Sequence, residues 1–131
     1  MAVGLAPAHA NELLDQWRNI APPAIATPFL QIHTGDPGAA GSANISSVTT
    51  RKAITFAAAA SGSMSANGTL PSWPTWAGTN NESVTHVSFH TASSGTGNFK
   101  RSAALSAPVV MATGNTLNIT AITFTFTPVA A

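Results

Sequence analysis

An antiparallel, jelly-roll-like β-sandwich preceded by one short N-terminal α-helix is the fold this sequence predicts, and three observations carry that prediction. Short stretches in which apolar residues alternate with hydroxyl or amide residues recur from residue 28 onward, as strands with two unlike faces require. Turn-forming groups such as Gly35-Asp36-Pro37-Gly38 and Thr113-Gly114-Asn115 separate them. Helical spacing of apolar residues is convincing in one place only, near the start. The 131 residues fit a single domain, with a helix over 7–20 and the sandwich over 28–131.

The helix is read from Ala10, Leu13, Leu14 and Trp17, which follow the i, i+3, i+4, i+7 stripe of an amphipathic helix. Pro7 suits a first turn, and Ala21-Pro22-Pro23 ends the pattern because proline lacks an amide donor and restricts its predecessor. Asn11, Glu12, Asp15 and Arg18 fall on the other face, where their expected task is solvation.

In the first strand, 29–34, Leu30 and Ile32 alternate with Gln31 and His33, so a half-buried strand is expected. It runs into a turn where Asp36 can bond the backbone ahead, Pro37 fixes φ, and a glycine can take φ > 0. The segment 38–50 is small and polar and reads as a long exposed loop suited to contacts. Further strands are expected at 53–57, 63–70, 84–91, 99–104, 109–111, 116–119 and 121–127. The last directs Ile122, Phe124 and Phe126 to one side and Thr123, Thr125 and Thr127 to the other. Between them, residues 72–81 place Trp73 and Trp76 among turn formers, where each ring can either cap the core or anchor a partner.

Charged residues are only 7% of the chain, with five basic and four acidic side chains, so no field gathers an anionic partner and nucleic acid is not expected. The absence of cysteine excludes disulfides, thiolate metal sites and a thiol nucleophile. The first residues lack a basic and apolar signal pattern and no segment approaches a membrane span, so a soluble product of the cytoplasm with no membrane partner is expected. A surface poor in charge, against about 25% in ordinary domains, leads us to expect cover by other subunits, with a homo-oligomer, a trimer as first guess.

Catalytic constellations are not expected. His33 and Asp36 resemble a catalytic pair, but an acid in that turn has a structural task. His86 and His90 lie about 13 Å apart on an extended strand, too far for one metal ion. The many serines lack a nucleophile-elbow context, and Glu12, Asp15, Asp36 and Glu82 offer no convincing pair for glycoside hydrolysis. Gly95-Thr96-Gly97-Asn98 lacks the further glycine and helix of a phosphate loop. No cofactor is implied. Arg51-Lys52 and Lys100-Arg101 are read as guards of strand edges in preference to inter-subunit ion pairs.

The ordered series Ala10-Asn11-Glu12-Leu13-Leu14, Leu30 to Gly38, Thr50 to Phe56, Val84 to Phe89 and Gly114-Asn115-Thr116-Leu117 resembles small virion proteins of tailed bacteriophages, especially those of actinobacteria such as mycobacteriophages. The likeness spans nearly the whole chain, and the Trp73/Trp76 loop departs from it. The resemblance implies a non-enzymatic virion component assembled in the host cytoplasm. Capsid decoration on the major capsid protein is the leading expectation, with a minor tail or tail-tip protein bound to tail proteins as the alternative. A carbohydrate-binding module, with Trp73, Trp76, Asn80 and Asn81 as a sugar platform, is the alternative from another class. Contact residues are expected among Leu13, Trp17, Asp36, Trp73 and Trp76.

Overall fold

A computed structural model of the chain describes residues 3–126. In order, the elements are α1 (Pro7–Leu14), a single 3-10 turn (Asp15–Arg18), β1 (Phe29–His33), β2 (Lys52–Ala53), β3 (Thr55–Phe56), β4 (Ser63–Asn67), β5 (Ser72–Trp73), β6 (Glu82–His90), β7 (Phe99–Met111), β8 (Leu117–Asn118) and β9 (Thr123–Thr125). The fold is a mainly β sandwich with antiparallel pairing throughout and one short helix. One sheet has the order β2-β1-β6-β7, the second β3-β4-β9, and β5-β8 form a two-stranded ribbon.

The two larger sheets meet through aromatic rings. Phe89 of β6 stands edge-on to Phe124 of β9 with centroids 4.9 Å apart, and Phe56 of β3 lies 5.0 Å from Phe124. Leu30, Ile32, Val84, Val87, Met111 and Leu117 complete the centre with Trp73 and Trp76. Full burial of each such side chain contributes roughly 1.5–3 kcal/mol, which is how a chain without disulfides holds its two layers together.

Several boundaries differ from the sequence reading, each for a local reason. The helix runs to Leu14 rather than 20, because the chain tightens into a 3-10 turn and Asn19 takes left-handed φ/ψ (60°, 32°), where its amide bonds back to the Asp15 and Gln16 carbonyls. The expected strand over 53–57 is broken into β2 and β3 at the buried Ile54, whose amide bonds to the Pro28 carbonyl. Residues 99–104 and 109–111 belong to one strand, β7, in which Leu105 to Pro108 stand opposite Thr85 alone as a large bulge. Pro108 is tolerated there because these residues make no ladder pair. β4 stops at Asn67, β8 and β9 are shorter than expected, and β5 was not expected at all. Thr127, predicted to face away from the core, lies outside the described residues.

The first strand also departs from its expected two-faced character. Leu30, Gln31, Ile32 and His33 are all buried, because the loop over 38–50 folds back across the polar side of β1. Ser46 and Thr34 amides bond the Ile32 and Asn44 carbonyls, and Ile45 bridges to His33. Gly41, at φ +67°, lets the loop lie on the Phe99 ring, which a Cβ there would overlap. At the other edge of the sheet, Gly4 and Ala6 exchange backbone bonds with Ser102 and Lys100, so the segment before α1 covers part of β7. No helix among the described residues is long and apolar enough to cross a membrane.

Candidate functional site

Two regions of the molecule concentrate polar or exposed apolar groups in an unusual way. The first is a buried polar chain across β1, β6 and the β6–β7 connection. His33 Nε2 lies 2.7 Å from Ser88 Oγ, Ser88 Oγ lies 2.8 Å from His90 Nε2, and His90 Nδ1 lies 2.9 Å from Asn98 Oδ1. Arg51 closes the chain by donating to Asn98 Oδ1, to the Gln31 side chain and to the Ala92 and Gly95 carbonyls, all within 3.0 Å. The guanidinium thus ties the start of β2 to β1 and to the hairpin loop, and the edge-guard role expected for Arg51 is not what it does. Lys52, on the outer strand β2, keeps that place.

Hydrogen counting shows what this chain of contacts does chemically. His33 Nδ1 faces the Ala43 carbonyl at 2.8 Å, and His90 Nδ1 faces an amide oxygen already held by Arg51, so both Nδ1 atoms carry hydrogens. Two neutral rings then offer two bare Nε2 atoms to a hydroxyl with one hydrogen. A further proton would complete the set, but burial and the Arg51 charge oppose it more strongly than one hydrogen bond favours it. His90 is lowered to about 4, first by burial and then by Arg51, and His33 is lowered chiefly by burial. The rings are neutral at pH 7, and His33 is inaccessible to any substrate.

Asp36 does the task expected of it. Its Oδ1 accepts the Gly38 amide at 2.7 Å, with Gly38 at φ +70°, and its own carbonyl accepts from Asn44 Nδ2 at 2.9 Å. His33 and Asp36 are not joined as a catalytic pair, since His33 is directed to Ala43 and Ser88. His86 Nδ1 meets Thr85 Oγ1 at 2.8 Å. Glu82, which sequence reasoning treated only as a spare carboxylate, accepts from the Ser46 hydroxyl and from the Ser47 amide at 3.1 Å. Burial pushes its carboxyl up, yet these bonds outweigh burial and hold it below the ordinary carboxylate value.

Trp73 and Trp76 are 3% and 1% exposed, and their indole donors bond the Thr50 and Thr79 carbonyls at 3.0 and 3.1 Å. They fill the core beneath the 72–81 loop. A sugar platform needs an exposed ring face, so these residues cannot provide one as placed. Of the contact residues expected from sequence, Leu13 and Trp17 lie instead in the second region.

That second region is the flank around α1. Trp17 is 91% exposed and Leu14 65%, with Ile20 and Ile25 also exposed, so the apolar stripe read from the sequence is split: Ala10 and Leu13 are half-buried, while Leu14 and Trp17, the latter beyond the α-helix, are uncovered. Leu13 turns inward to an apolar cleft of about 650 Å³ between α1 and the aromatic end of the sandwich, lined also by Ile25, Ile54, Phe56, Met64 and Phe124. Glu12, expected on a solvated face, fixes the helix here by receiving Lys100 Nζ at 2.6 and 2.7 Å, with His9 at 2.8 Å. The Lys100 bond, then His9, lower its carboxyl. Arg101 stacks on Phe124 with its guanidinium carbon 3.8 Å from the ring centroid.

Fold and surface together define a β-sandwich subunit whose helix flank is left open. The profile of a family described as podophage GP4 fiber I protein gp80 matches residues 4–127, nearly the whole chain. The chain belongs to that family and is a phage virion structural protein. The description names a podophage and no actinobacterial host, so the match upholds the virion part of the resemblance and not its host. No curated protein matches the chain.

Proposed function

We propose that the protein is a non-enzymatic component of a tail fibre, which docks on neighbouring virion subunits through the flank formed by α1 and the 3-10 turn. The observation that carries this reading is Trp17 of the 3-10 turn, 91% exposed, next to Leu14, 65% exposed, at the end of the helix that the Glu12–Lys100 ion pair holds to the sandwich. Large rings presented this way supply contact area at small conformational cost. The fibre description of the family favours the tail over the capsid surface. Leu13 and Trp17 are the contact residues of this reading, and neighbours include tail proteins and further copies of the chain.

Quantitative mass spectrometry of purified particles, joined to electron microscopy of particles labelled on this protein, tests the placement. A few copies at the tail are expected. Hundreds of copies spread over the head would establish capsid decoration instead, and absence from the particle would end the virion assignment.

A further inference from the structure

We infer that the cleft beside α1 receives an apolar segment bearing an aspartate or glutamate from a different polypeptide, with Arg101 as its ionic partner. This rests on the reading of the protein as a virion subunit. The walls are apolar, supplied by Leu13, Ile25, Ile54, Phe56, Met64 and Phe124, and no acidic side chain lines the cleft among the described residues. Its charged lining is cationic: Lys100, already held by Glu12, and Arg101. Arg101 Nε is buried with no hydrogen-bond partner among the described residues. With one face stacked on Phe124 and Nε enclosed, the guanidinium is held in place to meet a carboxylate through its terminal nitrogens.

The engagement of the acids favours a different chain as the partner, although the Asp15–Arg18 pair is solvent-exposed and weak. The sequence holds four carboxylate side chains, and each is engaged within the fold: Glu12 with Lys100, Asp15 with Arg18 at 2.9 Å, Asp36 with the Gly38 amide, and Glu82 with Ser46 and Ser47. A second copy would therefore have to break one of its own bonds to supply the acid side chain. Leu14 and Trp17, which follow the cleft residue Leu13 in the chain, are exposed apolar groups outside the cleft lining, and apolar groups beyond the cleft suit a peptide segment better than a small ligand.

The test places p-benzoylphenylalanine at Ala26 or Ala59, exposed residues on the cleft wall, in protein carried by assembled particles. Irradiation is expected to join each site to a peptide of another virion protein that contains an acidic residue among apolar ones. Arg101→Gln is expected to lower the yield about 30-fold, the effect of leaving a buried interfacial charge without its partner, while Arg101→Lys keeps part of it. Circular dichroism and thermal melting of both variants separate this from misfolding. Adducts only to a second copy, to lipid or to glycan, no adduct in particles that contain the protein, or a yield indifferent to Arg101→Gln would each overturn the inference. Absence of the protein from the particles would overturn it together with the virion reading.

Discussion

His33 and His90 share one hydroxyl: Ser88 Oγ lies 2.7 Å from Nε2 of the first and 2.8 Å from Nε2 of the second. The two rings come from strands far apart in sequence, so the shared group joins β1 to β6 on the side of the sheet away from the aromatic core.

The pH dependence of stability follows from the lowered values of this pair. Unfolded histidines titrate near 6.5, whereas His90 is lowered to about 4 and His33 is also lowered. Between those values the unfolded chain binds more protons, so stability is full above about pH 6.5 and declines as pH falls toward 4. His90 alone accounts for about 3 kcal/mol over that window. Glu12 and Glu82, also lowered, weaken the fold further only below the ordinary carboxylate range near 4.5. Urea denaturation midpoints measured from pH 8 to pH 4 should trace this profile, and a flat profile from 6.5 to 4 would show that the folded rings take up protons as readily as the unfolded ones.

Arg51→Lys should destabilise the protein by about 2–4 kcal/mol, although charge is conserved. A single ammonium cannot reach Gln31, Ala92, Gly95 and Asn98 together as the planar fork does. Chemical denaturation gives the difference, and a variant as stable as the parent would mean that these bonds are replaced by water without loss.

Gly41→Ala should cost about 2–4 kcal/mol, combining the left-handed φ of +67° with overlap of the new methyl and the Phe99 ring. The Tm should fall, and exchange of the 38–50 loop amides should accelerate. An unchanged Tm would place the loop off the ring in solution.

Trp17→Ala and Trp76→Ala should behave oppositely. Loss of Trp76, 1% exposed, leaves a core cavity and should cost about 3–5 kcal/mol. Loss of Trp17, 91% exposed, should change stability by less than about 0.5 kcal/mol, while incorporation into particles falls. Normal incorporation of the Trp17 variant would remove this ring from the docking surface.

How far these features can be read from sequence depends on the range over which they are determined. The alternation in Phe29–His33 and the spacing of Glu82–His90 are local, and both strands were legible. So was the Asp36 turn, since its bond to Gly38 spans two residues. The second covering of β1 was not legible, because Gln31 and His33 are buried by a polar loop whose composition suits solvent equally well. For the same reason Arg51 passed as an edge residue. Its acceptors lie on segments more than forty residues downstream as well as on β1, and no periodicity records such a meeting. A faint signal existed in the rarity of charge: where only nine side chains are ionic, each has a high chance of a defined partner.

The register of β1 has a consequence for how the chain reaches this state. Phe29 pairs with His90 and His33 with His86, so β1, one of the two inner strands of the larger sheet, meets its main neighbour only after more than fifty further residues have been made. Its other neighbour, β2, offers just two paired positions. During synthesis Leu30 and Ile32 therefore wait without their sheet, and closure of long loops must precede most of the stabilising contacts. Folding of this subunit is set by late, non-local encounters, and its nascent first strand is the segment most in need of protection from wrong pairing.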